Sequence, residues 1–489
     1  MSAAPMPAPG PTPEHVDVLV IGAGLSGLGA AAQLREHHPG RSVAVLEARP
    51  VSGGTWDLFR YPGIRSDSDM FTFGYRWRPW VGDTALADGE LILDYVRTVA
   101  RERGVDRLVR YGHRVVSADW DSARAHWRVQ IDRDGEPLTM TAGFVHCCSG
   151  YYDYDQGHSP ELPGIERYAG EVVHPQHWPE DLDYAGKRVV VIGSGATAIT
   201  LVPAMAADAA HVTMLQRSPT YVLSRPGRDP VATALSRLPR RLAFPVVRWK
   251  NILQAVAFYQ LARRRPEVVK RVIRSGVAAQ LPAEVDVDTH FRPRYDPWDQ
   301  RLCFVPDGDL FRAIRRGDAS VVTDTIDTFT EHGIRLTSGE ELVADVVVTA
   351  TGLRLLAFGG VELSVDGVPV DLAGAMAYKA LMLSGVPNFV YTIGYTNASW
   401  TLKADLVSEY VVRLLAHLDQ CGARSVVPVR DPEVGERPFM DFQSGYVLRA
   451  LDRLPRQGDR APWMLTQNYL TDLRTIRRDR IDDGVLRFA

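Results

Sequence analysis

Two glycine-rich turns carry the most legible chemistry in this chain. Gly22, Gly24 and Gly27 stand as GAGLSG after the apolar run Asp17–Ile21 and before the helical stretch LGAAAQLREHH. A helix opening on such a turn aims free backbone N–H groups and the positive end of its dipole at a pyrophosphate. The first glycine allows the tight turn, the second lets a phosphate approach the backbone, and the third lets helix and strand pack closely. Glu47 ends the next strand-like run, SVAVLEAR. A carboxylate there accepts from an adenosine ribose hydroxyl and repels a 2′-phosphate, which suits FAD or NAD and not NADP.

The same order recurs mid-chain. Lys187–Ile192 reads as a strand, Gly193, Ser194, Gly195, Ala196, Thr197 and Ala198 form the turn GSGATA, and ITLVPAMAA begins a helix. After the next strand, HVTML, the ribose position holds Gln216, followed by Arg217 and Ser218. Losing the carboxylate and gaining a guanidinium fits a 2′-phosphate, so this unit is expected to take NADPH. Two such units let one nucleotide act as a fixed prosthetic group and the other as a diffusible reductant.

The loop after the first unit, GGTWDLFRYPGIRSDSD, contains Gly54, Thr55, Trp56 and Asp57. Its place after the nucleotide's second strand predicts that it lines an isoalloxazine pocket. Between the units, YAGEVVHPQHWP brings His174, His177 and Trp178 together. No cysteine or carboxylate completes a ligand shell there, so no metal is expected.

That linker resembles the fingerprint F-x-G-x-x-x-H-x-x-x-W-[P/D] of type I Baeyer–Villiger monooxygenases. Gly170, His174, Trp178 and Pro179 match it, and Tyr168 stands where the family has Phe. The resemblance covers nearly the whole chain and is especially close to a mycobacterial branch of the family. It runs through GGTWDLFRYPGIRSDSDM, HPQHWPEDLDY, VVIGSGATA, YDPWDQRLC, TATG and GYTNASWTLKADLVSEY. It implies an FAD- and NADPH-dependent enzyme that inserts one oxygen of O2 beside a ketone carbonyl, giving an ester or lactone through a C4a-peroxyflavin. Oxygenation of sulfides and thioamides is implied as well. In this likeness Arg301 of PWDQRLC supports the peroxide anion and Asp67 of GIRSDSD orients it. A permanent cation with a carboxylate partner suits that task. His174 is implied to couple the domains and position NADP, not to donate a proton. Thr351 and Gly352 are implied to lie beside the nucleotide at the interdomain linker. Trp400 either covers nicotinamide or substrate or packs in the core.

An N- or S-oxygenating flavin monooxygenase shares both nucleotide units and is the alternative reading. A disulfide reductase needs a spaced redox cysteine pair, whereas Cys147 and Cys148 are vicinal and no CxxC exists. They read as buried free thiols in a reducing, cytoplasmic setting. A non-catalytic nucleotide sensor would neither oxidise NADPH nor consume O2.

These residues require an α/β fold with two Rossmann-like domains, the NADPH domain inserted in the FAD domain. The expected boundaries are a Pro/Ala-rich disordered leader over 1–15, a first FAD part over 16–155 and the NADPH domain over 156–331. A helical insertion is expected at about 225–298, and the second FAD part over 332–489. Arg237–Arg274 holds eleven Lys/Arg and one acid on a helical pattern interrupted by prolines. It reads as a solvated cap on the substrate side or, alternatively, as a basic face on anionic lipid. The net charge of −3 gives no reason to expect nucleic acid. No run of apolar residues is long enough to predict a spanning helix. The expected partners are O2 and a small ketone or sulfur compound.

Overall fold

The computed structural model describes residues 13–489. The expected leader therefore falls largely outside the described residues, and its last two positions are corrected. Glu14 and His15 begin the strand Glu14–Ile21, where Glu14 pairs with Arg110 at 2.6 Å.

Glu14–Ile21 lies parallel to Val43–Leu46 on one side and to Glu136–Cys147 on the other. Val109–Arg110 extends the sheet beyond Val43–Leu46, and Phe389–Tyr391 adds in parallel beside Val145–Cys147. Val18, Leu19 and Val20 are all fully buried, as a parallel sheet covered on both faces demands. Helix Leu25–His37 packs against the 22-residue helix Trp400–Cys421. His113–Asp121 and His126–Arg133 pair antiparallel with each other, and the latter with Glu136–Cys147.

The second sheet has five parallel strands in the order Ala319–Thr323, His211–Gln216, Arg188–Ile192, Val346–Thr349 and Glu171–Val173. Because Val346–Thr349 hydrogen-bonds to Arg188–Ile192, the second unit runs past the boundary expected at 331. The intervening Ile326–Phe329, Gly333–Leu336 and Glu341–Val343 form a small antiparallel meander. Its turn residues resemble a domain end although the chain has one more parallel strand to supply. The chain then returns to the first sheet at Phe389–Tyr391, so the second unit is inserted in the first, as expected.

The helical insertion lies between Tyr221–Arg225 and Leu302–Pro306, which pair with each other. It contains Pro230–Ala234, Arg240–Arg264, Pro266–Ala278 and Val287–His290. The Arg248 guanidinium is buried and donates to the carbonyls of Phe71 at 2.7 Å and Gly74 at 2.8 Å. One of the insertion's basic residues thus ties the long helix to the first domain. Among the described residues, no helix is long and apolar enough to cross a membrane.

Candidate active site

The first turn depends on glycine for definite steric reasons. Gly22 has φ +100°, and a Cβ there would lie 2.7 Å from the Cys148 carbonyl oxygen. A Cβ on Gly27 would lie 1.8 Å from the Gly22 oxygen, so helix and turn touch backbone to backbone. The loop Gly53–Asp69 crosses this turn: the Gly53 N–H donates to the Ala23 carbonyl at 3.0 Å. A Cβ on Gly54 would sit 3.0 Å from the Gly24 Cα. The Thr55 hydroxyl accepts from Tyr152 at 2.7 Å, and Trp56 packs edge-on against Phe73.

Two residues assigned to this cofactor are also engaged by protein groups. Asp57 is buried behind the loop, where its carboxylate takes Arg49 at 2.6 Å, Arg97 at 2.7 Å and Arg60 at 3.3 Å. Glu47 accepts the N–H of Ala23 at 2.7 Å and that of Arg49 at 2.9 Å. Burial pushes its carboxyl above the usual range against those two bonds. Its carboxylate therefore braces the turn from behind.

In the second turn Gly193 has φ +138°, and a Cβ would lie 2.4 Å from the Ala350 oxygen. That contact seats the Ala350–Gly352 turn on the glycines, and the Thr351 hydroxyl donates to the His158 carbonyl. Ser194 Oγ donates to the Ser218 carbonyl at 3.0 Å. Arg217 is exposed and has no ion pair among the described residues. Gln216 is turned away, donating to the His290 carbonyl at 2.7 Å and Thr323 Oγ1 at 2.9 Å.

Both turns open on one cleft of about 860 Å³. Gly24, Gly54, Thr55 and Trp56 line one end, and the stretch 193–197, Arg217, Ser218, Thr351 and Gly352 line the other. Asp67 and Arg301 lie in it as an ion pair, with Arg301 Nε donating to Asp67 Oδ2 at 3.1 Å. The Asp67 charge drives the Arg301 pKa well above its ordinary value, outweighing the opposing effect of burial. The hydroxyls of Tyr151 and Tyr446 face the guanidinium, and burial raises both phenols. Trp400 Nε1 donates to Ser26 Oγ at 2.8 Å, and its ring stacks on Tyr151 at 5.2 Å. Trp400 thus lines the cleft and also packs against the core of the first domain, held by the first glycine helix.

Sequence reasoning missed Tyr151, Tyr446, Trp298 and Arg225. Trp298 has φ +76°, a strained conformation for a bulky residue, and its buried indole nitrogen has no partner among the described residues. Strain of that kind three residues before Arg301 has no sequence signal. Arg225 lies over the Phe304 ring at 3.8 Å in a smaller cavity that also reaches Arg301.

The fingerprint residues are not in the cleft. His174 Nδ1 accepts from the Gln176 N–H at 3.2 Å, the buried Nε2 has no partner among the described residues, and burial lowers the pKa of the ring. Gln176 donates to the Asp153 carbonyl at 2.9 Å, and His177 bonds the Asp155 carbonyl at 3.0 Å. The segment therefore clasps the strand-to-linker crossing between the two units. A Cβ on Gly170 would lie 2.7 Å from the Asp345 carbonyl oxygen, so the backbone there leaves no room for a side chain. Trp178 packs half-buried against the main core, next to Pro179.

Comparison with known proteins settles the family. Residues 20–81 match the NAD(P)-binding Rossmann-like domain, and residues 85–244 match the flavin-binding monooxygenase-like family. The chain is 57% identical over 479 residues to the FAD-containing monooxygenase EthA of Mycobacterium tuberculosis, covering 97% of this chain and 98% of that one. The chain belongs to the FAD-containing monooxygenases. EthA of Mycolicibacterium smegmatis is 55% identical, with 97% of each chain covered. The oxidized steroid monooxygenase bound to NADP superposes with a TM-score of 0.72 at 26% identity, covering 86% of this chain and 88% of that one. An open cyclohexanone monooxygenase structure shares the fold, with a TM-score of 0.71 at 22% identity over 86% and 90% of the two chains. The expected likeness to type I Baeyer–Villiger monooxygenases is borne out, and with it the oxidoreductase class.

Proposed function

We propose that this monooxygenase binds FAD at the first glycine turn and NADPH at the second, and inserts one oxygen of O2 beside a ketone carbonyl. The same site is proposed to oxygenate sulfides and thioamides. The observation that carries this reading is the Arg301–Asp67 pair, set in the cleft between the two turns.

The residues present fit both cofactors. Helix Leu25–His37 begins with no side-chain cap and no acid in its first turn, leaving its N–H groups for a pyrophosphate. The Gly24–Gly54 approach leaves a backbone cradle that a Cβ would fill. At the other turn Arg217, without an ion pair among the described residues, offers its guanidinium to a 2′-phosphate. Bound flavin supplies the redox chemistry, taking electrons from NADPH and activating O2.

The chain's own residues then orient and stabilise. Arg301 presents a permanent cation where negative charge develops on oxygen, and Asp67 fixes its direction. Tyr151 and Tyr446 offer neutral O–H donors around the same point, because burial keeps both protonated. Trp400 and Tyr151 form a stacked wall that excludes water from one side. The test is a panel of aliphatic, cyclic and aryl ketones plus sulfides and thioamides, run with isotopically labelled O2 and scored by product mass. Esters or lactones carrying one labelled atom are expected. NADPH consumption that yields only peroxide, or products confined to N- or S-oxides, would overturn the ketone reading.

A further inference from the structure

The outer face of helix Arg240–Arg264 is built the wrong way round for water. Its inner face is docked: Val247, Arg248, Asn251, Ile252 and Ala262 are buried, with Asn251 donating to Asp69 and Asp229 at 3.1 Å. On the opposite face Leu242, Val246, Trp249, Leu253, Ala257 and Leu261 follow at intervals of three or four residues, which places them in one row. All six are exposed, and the large ones range from 42% for Trp249 to 57% for Leu242. Val268 and Val272 of the next helix add exposures of 45% and 65%. A surface helix normally turns polar residues outward, and a contiguous exposed apolar row marks a contact site.

The charges around the row select the partner. Arg237, Arg240 and Arg241 stand at its start, and Arg264, Arg265 and Arg271 at its end. All six are exposed, and none has an ion pair among the described residues. Three other basic residues of these helices are already engaged, Arg263 with Asp299, Lys270 with Asp296 and Arg274 with Asp288. A second copy brought to this face would add like charge to like charge. An anionic bilayer supplies both an apolar boundary for Leu, Val and Trp and phosphates for the arginines. We propose that this face docks the enzyme peripherally on anionic lipid. The reverse side of the same helix, through Ala255, Val256 and Tyr259, walls the cavity that reaches Arg301. Docking would thus set the substrate side of the enzyme against the membrane.

The experiment is flotation of the FAD-loaded enzyme with phosphatidylcholine vesicles, with and without phosphatidylglycerol. Wild type should float only with the anionic vesicles and less so at high salt. Leu253→Glu should lower partitioning by about tenfold or more, and a combined Arg240→Glu, Arg241→Glu, Arg264→Glu variant should do the same. Flavin absorbance and NADPH oxidation report that each variant is folded. No flotation of wild type, equal flotation with neutral vesicles, or unchanged flotation of Leu253→Glu would overturn the proposal. A vesicle-indifferent dimer that Leu253→Glu converts to monomer would overturn it too, assigning the face to self-association.

Discussion

Arg301 and Asp67 stand 234 residues apart in sequence, yet Nε and Nη2 of the arginine both donate to Oδ2 of the aspartate. The Tyr151 and Tyr446 hydroxyls lie beside the same guanidinium, at the wall of the cleft. Asp67 therefore fixes the direction of the cation while Arg301 supplies its charge. Asp67→Ala should keep both cofactors, whose turns it does not touch, and should lower coupling about tenfold. Coupling is measured as oxygenated product per NADPH, with the deficit recovered as hydrogen peroxide. Wild-type coupling in that variant would remove Asp67 from the site.

Arg217 sets the choice of reductant. NADPH should exceed NADH in kcat/KM by at least ~10², equivalent to about 2.7 kcal/mol of discrimination. Arg217→Ala should narrow that gap chiefly by raising KM for NADPH. Steady-state kinetics with both nucleotides decide it, and equal efficiencies in the wild type would contradict the 2′-phosphate assignment.

The two turns should fail separately. Gly27→Ala places a Cβ 1.8 Å from the Gly22 oxygen, a clash between backbone segments that no rotamer relieves. It should give protein without flavin, or no soluble protein. Gly193→Ala forces φ +138° on a non-glycine residue, at a cost of about 1–3 kcal/mol, and meets the Ala350 oxygen. That enzyme should retain its flavin absorbance and show a KM for NADPH raised about tenfold or more. Loss of flavin from Gly193→Ala with NADPH binding intact would invert the assignment.

Asp405 gives a pH-dependent prediction. Burial raises its carboxyl to about 6 despite Arg248 beside it. The folded state therefore holds its proton more tightly than the unfolded state, so this contribution to stability is full at low pH and is lost as pH rises from about 4 to 6. The size is up to about 3 kcal/mol. Denaturant unfolding of wild type and Asp405→Asn across that range should show the difference between them changing in this direction. Parallel pH profiles would refute it.

What the sequence disclosed was local. A glycine turn, its strand and its helix are contiguous, so their spacing alone names a phosphate site, and both turns stand where expected. Roles set by tertiary partners were hidden. Glu47 sits at the ribose position in sequence, and no motif announces that each of its carboxylate oxygens also accepts a backbone amide, from Ala23 and Arg49. Asp57 belongs to a three-arginine cluster in which Arg49 and Arg97 come from outside its loop. Tyr446 reaches Arg301 from the chain's last fifty residues, with no motif to announce it. The domain boundary was misplaced because a short antiparallel meander interrupts the second sheet before its last strand. The insertion's charge was visible, but its apolar row emerged only once the buried face of the helix was known.

The central claim is that Arg301 serves the oxygen step and not the reduction step. Rapid mixing of anaerobic, FAD-loaded Arg301→Ala with NADPH should bleach the flavin at a near-normal rate, because the two glycine turns position the nucleotides. Subsequent mixing with O2 and ketone should return oxidised flavin directly, with peroxide released and no ester formed. Arg301→Lys keeps the charge but loses the planar fork, and should be badly impaired as well. Ester formed by Arg301→Ala at the wild-type rate and yield would contradict the account.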